Sequence, residues 1–202
     1  VYEGDLLPAR YRGALLNAEA GRSAILAHFV QNAGGGFRTR HETLIRARDG
    51  ADGKGHSFRP SDIAIASDGS LFVSDWYDPI VGGDGMNDAK GYGRIFRIAP
   101  RGAAKKVPAL DLSTAAGVRA AFVGPSPSLR FQAAEQLVAG GANTRPLLES
   151  LAAGRDARVR ARALFALARQ GGAGRAYVER NLSDRDPALR IVALRALDAT
   201  AG

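Results

Sequence analysis

The chain has 202 residues, a formal net charge of +8 and no cysteine. The lack of cysteine excludes disulfides, thiol catalysis and cysteine-ligated zinc for these residues. No stretch approaches the roughly eighteen consecutive apolar residues that a membrane-spanning helix needs, so we expect no such helix here.

The N-terminal half contains short apolar runs separated by glycine-rich turns, a pattern typical of β-strands. An early set of predicted strands covers residues 13–19, 23–29 and 37–45. The pattern is loose in this set, because polar residues interrupt the apolar ones. It nevertheless predicts three consecutive strands.

A clearer set of strands follows. Residues 60–66 and 71–76 alternate apolar and polar side chains on either side of an Asp-Gly pair, which supplies the positive φ angles of a tight hairpin. A third strand is predicted at residues 93–98 and a fourth at residues 106–112. Four antiparallel strands joined by short turns are typical of one blade of a β-propeller.

The sequence therefore predicts that residues 1–101 form the last blades of an all-β propeller. Two blades cannot close a ring, so the other blades would lie upstream. Residues 102–122 are predicted to be a linker with room for a last edge strand. Because the chain starts on Val1 and ends directly after an amphipathic helix, we expect it to be a fragment that lacks upstream blades and a downstream domain.

From residue 123 the apolar pattern becomes helical. Residues 128–137, 158–167 and 188–197 align without gaps at a spacing of 30, and shorter partner helices are predicted at residues 144–152 and 174–182. Repeated helix pairs bury their apolar faces on their neighbours. We therefore predict an all-α solenoid of HEAT-like repeats over residues 123–202.

A repeated arginine has a predictable role in these helices. Arg130, Arg160 and Arg190 occupy the same position in each repeat, and Arg160 lies inside the apolar arc of its helix. A charge in that position needs a partner. Asp156 and Asp186 each precede their arginine by four residues, so we expect partly buried arginines that meet these acids or the adjacent repeat.

One stretch resembles a known family. The resemblance is carried by residues 58–62, by the run DGSLFVSDWYDP at residues 68–79, by the double glycine at 82–83 and by residues 93–98. Together they resemble the closing propeller blade of the large bacterial proteins described as PVC-type membrane-bound dehydrogenases. That family is similar in turn to L-sorbosone dehydrogenase and soluble quinoprotein glucose dehydrogenase, and its propeller is commonly followed by HEAT repeats.

The resemblance implies a periplasmic or secreted sugar or alcohol dehydrogenase. It further implies pyrroloquinoline quinone (PQQ) and Ca²⁺ as cofactors, with electron transfer to heme c in a fused cytochrome domain outside this chain. One position departs from the family: a histidine is expected soon after the double glycine, and Asp84 stands there instead. This departure puts the role of that position in doubt.

Two other classes of function stay open. The first is a non-catalytic module that binds carbohydrates or proteins, with a protein partner on the HEAT surface. The second, weaker alternative is a basic helical array that binds nucleic acid. The excess of arginine is spread along the helices in register with the repeat rather than collected in one run, which favours a solvated face over nucleic-acid binding.

The predicted hairpin places one group of candidate ligand-binding residues on a common rim. The start of its first strand and the end of its second meet there, since the two strands are antiparallel. The candidate cofactor-binding residues are His56, Arg59, Asp62, Asp75, Trp76 and Tyr77. In this hypothesis Arg59 binds a ligand carboxylate and the two aromatic residues pack on a ring. The alternative is a structural ion pair of Arg59 with Asp75 or Asp62.

The loop after the second strand is rich in acids and glycine. Side-chain oxygens of this kind are the ligands that Ca²⁺ prefers, although the spacing matches no EF-hand. The candidate metal ligands are Asp78, Asp84, Asn87 and Asp88.

Overall fold

The structure is a computed structural model that describes residues 1–47, 58–77, 93–103 and 109–201. The chain divides into two compact units, Val1–Pro108 and Ala109–Gly202. We call the first the sheet unit and the second the helical unit. The predicted strand at 106–112 lies partly outside the described residues, and residues 109–112 form no strand.

In the described part of the sheet unit there are two antiparallel sheets of three strands each. The first sheet is formed by β1 (Leu15–Glu19), β2 (Ala24–Ala33) and β3 (Gly36–Arg46). The second is formed by β4 (Pro60–Ile65), β5 (Leu71–Asp75) and β6 (Arg94–Ile98). Short 3₁₀ turns lie at Ala9–Tyr11 and Ala20–Arg22. Strand order follows chain order in both sheets, so each sheet is a simple meander.

The hairpin between β4 and β5 forms where the Asp-Gly pair predicts it. Gly69 has a φ of +81°, a backbone conformation that glycine adopts without steric cost. The Asp68 carboxylate accepts hydrogen bonds from the backbone N–H and the hydroxyl of Ser70 at 2.9 and 2.7 Å. The turn is therefore held by its own local side chains.

The N-terminal segment is joined to that hairpin through Tyr2. The Tyr2 side chain is fully buried, and its hydroxyl donates to the carbonyl of Gly69 at 2.9 Å while accepting from the backbone N–H of Leu7. A Cβ at Gly4 would lie 2.7 Å from that hydroxyl, so this close approach requires glycine. Side chains from both sheets complete the shared core, among them Ile25, Ala27, Leu71 and Val73.

The helical unit contains six α-helices among its described residues. They are α1 (Ala115–Val123), α2 (Pro127–Ala139), α3 (Arg145–Ala152), α4 (Ala157–Gln170), α5 (Gly172–Arg180) and α6 (Pro187–Asp198). Single 3₁₀ turns lie at Gly141–Asn143 and Asn181–Ser183. Helices α2, α4 and α6 begin at residues 127, 157 and 187, which confirms the predicted spacing.

The core of the helical unit is built from equivalent positions of these long helices. Leu137, Leu167 and Leu197, which are 30 residues apart, are all buried, and Leu164 has no exposed surface. Leu194, which lies at the equivalent position of α6, is 61 % exposed. The side chain at this position is therefore buried only where a further helix covers it. In α4 that helix is α6, which packs against it.

The repeated arginines bind backbone carbonyls of the segment that precedes their own helix. The Arg130 guanidinium donates to the carbonyls of Gly124 and Pro125, and that of Arg190 donates to the carbonyl of Asp184. Arg160 donates to the carbonyl of Ala152 at 2.9 Å.

Arg160 also reaches the neighbouring repeat, because its guanidinium pairs with the Asp184 carboxylate at 2.7 Å. Asp156 and Asp186 cap the N-termini of α4 and α6, where their carboxylates accept backbone N–H groups. Such capping contributes about 1 kcal/mol per helix.

We expect Arg160→Ala to lower the free energy of unfolding of the helical unit by about 2 kcal/mol, because it leaves a half-buried carboxylate and a carbonyl without their charged donor. Arg158→Ala is the matched control, since Arg158 lies on the same helix with an exposed side chain. Urea denaturation followed by far-UV circular dichroism measures both. Equal midpoints for the two variants would contradict a stabilising role of the Arg160 pair.

The predicted fold class, an all-β partial propeller followed by an all-α HEAT solenoid, is wrong. The described residues form two small three-stranded sheets that are not closed, followed by six helices, and make a mixed α/β structure. One physical reason lies at Asp111, whose carboxylate accepts from the N–H and the hydroxyl of Ser113. Thr114 then caps α1, so this part of the predicted linker begins a helix instead of completing a four-stranded blade.

A second reason lies in the first sheet. β2 and β3 continue through a turn at Gly34, which has a φ of +60°, and the distal half of β2 is solvent-exposed. The pair therefore forms a long hairpin rather than two short strands of a packed blade. Within the described ranges, none of the helices is long and apolar enough to cross a membrane.

Candidate functional site

An open cleft lies between β3 and β6, the edge strands of the two sheets. Its volume is about 440 Å³. We call it the β3–β6 cleft, and its described lining consists of Ile45, Arg46, Ala47, Phe58, Arg94, Phe96, Arg97 and Ile98. The cleft thus combines apolar and aromatic side chains with three arginines.

The aromatic part of the cleft is formed by two phenylalanines. Phe58 is nearly buried, and its ring meets the half-exposed ring of Phe96 edge-on, with centroids 5.9 Å apart. Arg94 lies over the Phe96 ring with its guanidinium carbon 5.2 Å from the centroid. A flat apolar group that enters the cleft can therefore contact an aromatic ring and a guanidinium together.

Asp75 organises one end of the cleft. Its side chain is completely buried and pairs with Arg94, whose Nε and terminal nitrogen donate to Oδ2 at 3.1 and 2.7 Å. The other oxygen, Oδ1, accepts from the backbone N–H groups of Arg59 and Tyr77 at 2.8 and 3.0 Å. The carboxylate thereby fixes Arg94 at the cleft and joins the start of β4 to the end of β5.

Asp68 holds Arg97 in the way that Asp75 holds Arg94. Its carboxylate pairs with Arg97, and both side chains are mostly buried. Burial by itself would raise the pKa of Asp68, but the hydrogen bonds from Ser70 and the Arg97 guanidinium outweigh it, so the pKa lies below its ordinary value. Asp68 is therefore ionised at neutral pH and balances the charge of Arg97.

Arg46 differs from the other two arginines of the cleft. It lies at the end of β3 with an exposed side chain, and it forms no ion pair with any residue in the described part of the chain. Arg94 and Arg97 are balanced by Asp75 and Asp68. The described lining therefore has one surplus positive charge, and Arg46 carries it.

The predicted ligand-binding residues are only partly brought together. The guanidinium of Arg59 lies over the Trp76 ring, 5.7 Å from its centroid, and its buried Nε has no hydrogen-bond partner among the residues that the structure describes. Trp76 is 44 % exposed. The sequence left open a structural ion pair between Arg59 and Asp75. In the structure, the guanidinium that pairs with Asp75 belongs to Arg94.

Asp62 lies apart from this cluster. It lines a small polar hollow of about 220 Å³ between β1 and β4, together with Asn17 and Ser61. Its carboxylate accepts a hydrogen bond from the backbone N–H of Ile63. Asp62 is exposed while Asp75 is buried, so the two acids do not form one site.

The remaining candidates lie outside the described residues. These are His56, Asp78, Asp84, Asn87 and Asp88. Among the residues that the structure does describe, no group of three or more His, Cys, Asp or Glu side chains is placed to hold a metal ion.

The cleft lies within a region that has relatives. Residues 1–102 match the model of a family described as a domain of unknown function, DUF7133. This match covers half of the chain. The chain belongs to the DUF7133 family. No curated protein and no solved structure matches the chain. Every described residue of the β3–β6 cleft falls inside the DUF7133 region, as do both sheets.

Sequence reasoning did not find Arg46, Phe58, Arg94 or Phe96 as site residues. One signal for Arg94 was present: it lies at the start of the strand predicted at residues 93–98, and in the sheet it is directly opposite Asp75. The sequence could not show this register, because the two predicted strands are separated by residues 77–92. Arg46 and Phe96 come from different sheets, and local sequence patterns carry no information on which strands of separate sheets line a common cleft.

Proposed function

We propose that the sheet unit is a binding module for a flat organic anion, which it holds in the β3–β6 cleft. The observation that carries this proposal is the position of Arg46, a cation without an acidic partner among the described residues, at a cleft lined by Phe58 and Phe96. A guanidinium binds a carboxylate through two parallel hydrogen bonds. The two rings offer apolar faces to the body of the same ligand.

The residues that line the cleft support a binding function better than a catalytic one. A general acid or base must be able to exchange a proton with the ligand. The acids that support the cleft, Asp68 and Asp75, are buried and already hydrogen-bonded by Arg97 and Arg94. Their role is to hold the arginines in place.

A quinone-dependent dehydrogenase is the second candidate, and the chemistry of the cleft favours it in one respect. PQQ is a flat ring system with several carboxylates, so it belongs to the class of ligand that the cleft fits. Arg46 would hold a carboxylate, and Phe58 and Phe96 would pack against the ring system. The bound quinone would supply the redox chemistry, and a fused cytochrome c domain in a periplasmic or secreted protein would accept the electrons.

Arg46→Ala is expected to weaken binding of PQQ to the full chain by about 10- to 100-fold, the loss that follows from removing one charge-assisted hydrogen-bonding partner. Arg38→Ala is the control, because Arg38 is an exposed arginine on the same strand that does not line the cleft. Isothermal titration calorimetry measures both affinities.

Naphthalene-2-carboxylate, a flat anion without a quinone, separates the two candidates. Binding of both compounds with the same dependence on Arg46 supports a general anion module, and binding of PQQ alone supports the dehydrogenase. If neither compound binds at millimolar concentration, or if Arg46→Ala binds as tightly as the unaltered chain, the cleft is not the ligand site.

A further inference from the structure

Two histidines lie side by side on β2 and β3 of the first sheet. His28 and His41 are direct partners in the register of these antiparallel strands, and their ring centroids are 5.5 Å apart. His28 is half-buried and His41 is exposed. We call them the histidine pair. Directly opposite residues of an antiparallel pair lie on the same face of the sheet, so both imidazoles belong to one surface.

The separation of the two rings is close to the one that a shared metal ion requires. Metal–nitrogen distances of about 2.0–2.1 Å in a tetrahedral arrangement place the centroids of two coordinating imidazoles about 5 Å apart. The rings of the histidine pair are tilted by 38° to each other. A small change in side-chain torsion angles therefore brings a nitrogen of each ring onto one ion.

The ring nitrogens of the histidine pair are available as ligands. Neither His28 nor His41 has a hydrogen bond or an ion pair with any residue in the described ranges, and the contact between their two rings is the interaction that they share. Neutral imidazole is the side chain that proteins use most often to bind metals. A metal ion would therefore displace no existing bond of these two side chains.

The positions next to the histidine pair carry no charge. Side chains alternate between the two faces of a sheet, so the next residues on the same face of both strands are Leu26, Val30, Thr39 and Thr43. None of these four is a lysine or arginine that would repel a cation. None supplies the carboxylate oxygens that Ca²⁺ and Mg²⁺ prefer. The donor set is therefore one for a transition metal that binds nitrogen.

We infer that the histidine pair binds one divalent transition-metal ion, with both imidazoles as ligands and water in the remaining positions. For a given set of ligands, affinity rises from Ni²⁺ to Cu²⁺ and falls again at Zn²⁺, so Cu²⁺ is the preferred ion. This inference does not depend on the anion-binding proposal, because neither histidine belongs to the described lining of the β3–β6 cleft.

The test measures binding of Cu²⁺ alone to the full chain by isothermal titration calorimetry in a non-chelating buffer. The chain has three histidines and no cysteine, which limits competing ligands. His28→Gln and His41→Gln should each weaken binding by at least about tenfold, since the loss of a residue that only orients a metal ligand already costs that much. His56→Gln is the matched control and should leave the affinity unchanged.

Two further measurements separate this site from binding elsewhere on the chain. Electron paramagnetic resonance of the Cu²⁺-loaded chain should show coupling to two nitrogens, which neither His28→Gln nor His41→Gln retains. Ni²⁺ should raise the urea midpoint of the unaltered chain, because an ion that binds only the folded state stabilises it, and should leave that of His28→Gln unchanged. Excess Ca²⁺ should not displace Cu²⁺.

Circular dichroism checks that each variant is folded. Equal Cu²⁺ affinities of the unaltered chain, His28→Gln and His41→Gln would overturn the inference, since the ion would then bind elsewhere. The same conclusion would follow if His56→Gln alone abolished binding, or if the unaltered chain bound no Cu²⁺ at millimolar concentration.

Discussion

Asp75→Ala is expected to lower the free energy of unfolding of the sheet unit by about 3 kcal/mol, the scale for removing one partner of a buried, hydrogen-bonded charge. The substitution leaves the backbone N–H groups of Arg59 and Tyr77 without an acceptor and releases the Arg94 guanidinium. Because the Arg94 side chain is 45 % exposed, water compensates part of the loss, which is why we expect a value at the lower end of that scale.

Urea unfolding followed by the fluorescence of Trp76, the single tryptophan of the chain, measures this change. Asp62→Ala is the matched control, since Asp62 is an exposed acid on the neighbouring strand, and it should change the stability by less than about 0.5 kcal/mol. If both variants unfold at the same urea concentration, Asp75 is not the residue that joins β4, β5 and β6.

Leu164→Ala is expected to lower the free energy of unfolding of the helical unit by about 3 kcal/mol or more, because it opens a cavity at a completely buried position. Leu194→Ala removes the same atoms at the equivalent position of α6, where the side chain is 61 % exposed. We expect this second variant to change stability by less than about 0.5 kcal/mol.

The two leucine variants are compared by urea denaturation monitored by far-UV circular dichroism. Similar losses for both would show that α6 packs its Leu194 face against another part of the molecule in solution. If both variants are as stable as the unaltered chain, the result would contradict the packing of α4 against α6.

The sequence predicted those features that depend on local chemistry. The Asp68–Gly69 turn and the 30-residue spacing of the long helices are both local, since the first rests on turn residues and the second on apolar positions one repeat apart. The strand limits were less accurate. β2 extends to Ala33 and β3 begins at Gly36, but residues 30–33 are exposed and lack the apolar pattern that would reveal a strand.

Of the structural features of the candidate site, only the importance of Asp75 could be predicted from the sequence. Asp75 was identified from its place at the end of a strand, and the structure shows that it is the buried acceptor of that region. Its partner and the β3–β6 cleft could not be predicted, because both depend on which strands lie at the edges of two separate sheets. The blade-like pattern also misled the fold prediction, since strand alternation indicates that a strand is half buried and not how many strands its sheet contains.

The hydrogen bond from the Tyr2 hydroxyl to the Gly69 carbonyl has a consequence for the order in which the chain folds during synthesis. The two residues are 67 positions apart, so a chain that emerges from the ribosome cannot bury Tyr2 until the second sheet has begun to form. Contacts between distant residues slow folding, whereas contacts within and between successive helices form early. The sheet unit should therefore be the slower half to fold, with its N-terminal segment exposed to proteases and chaperones throughout that interval.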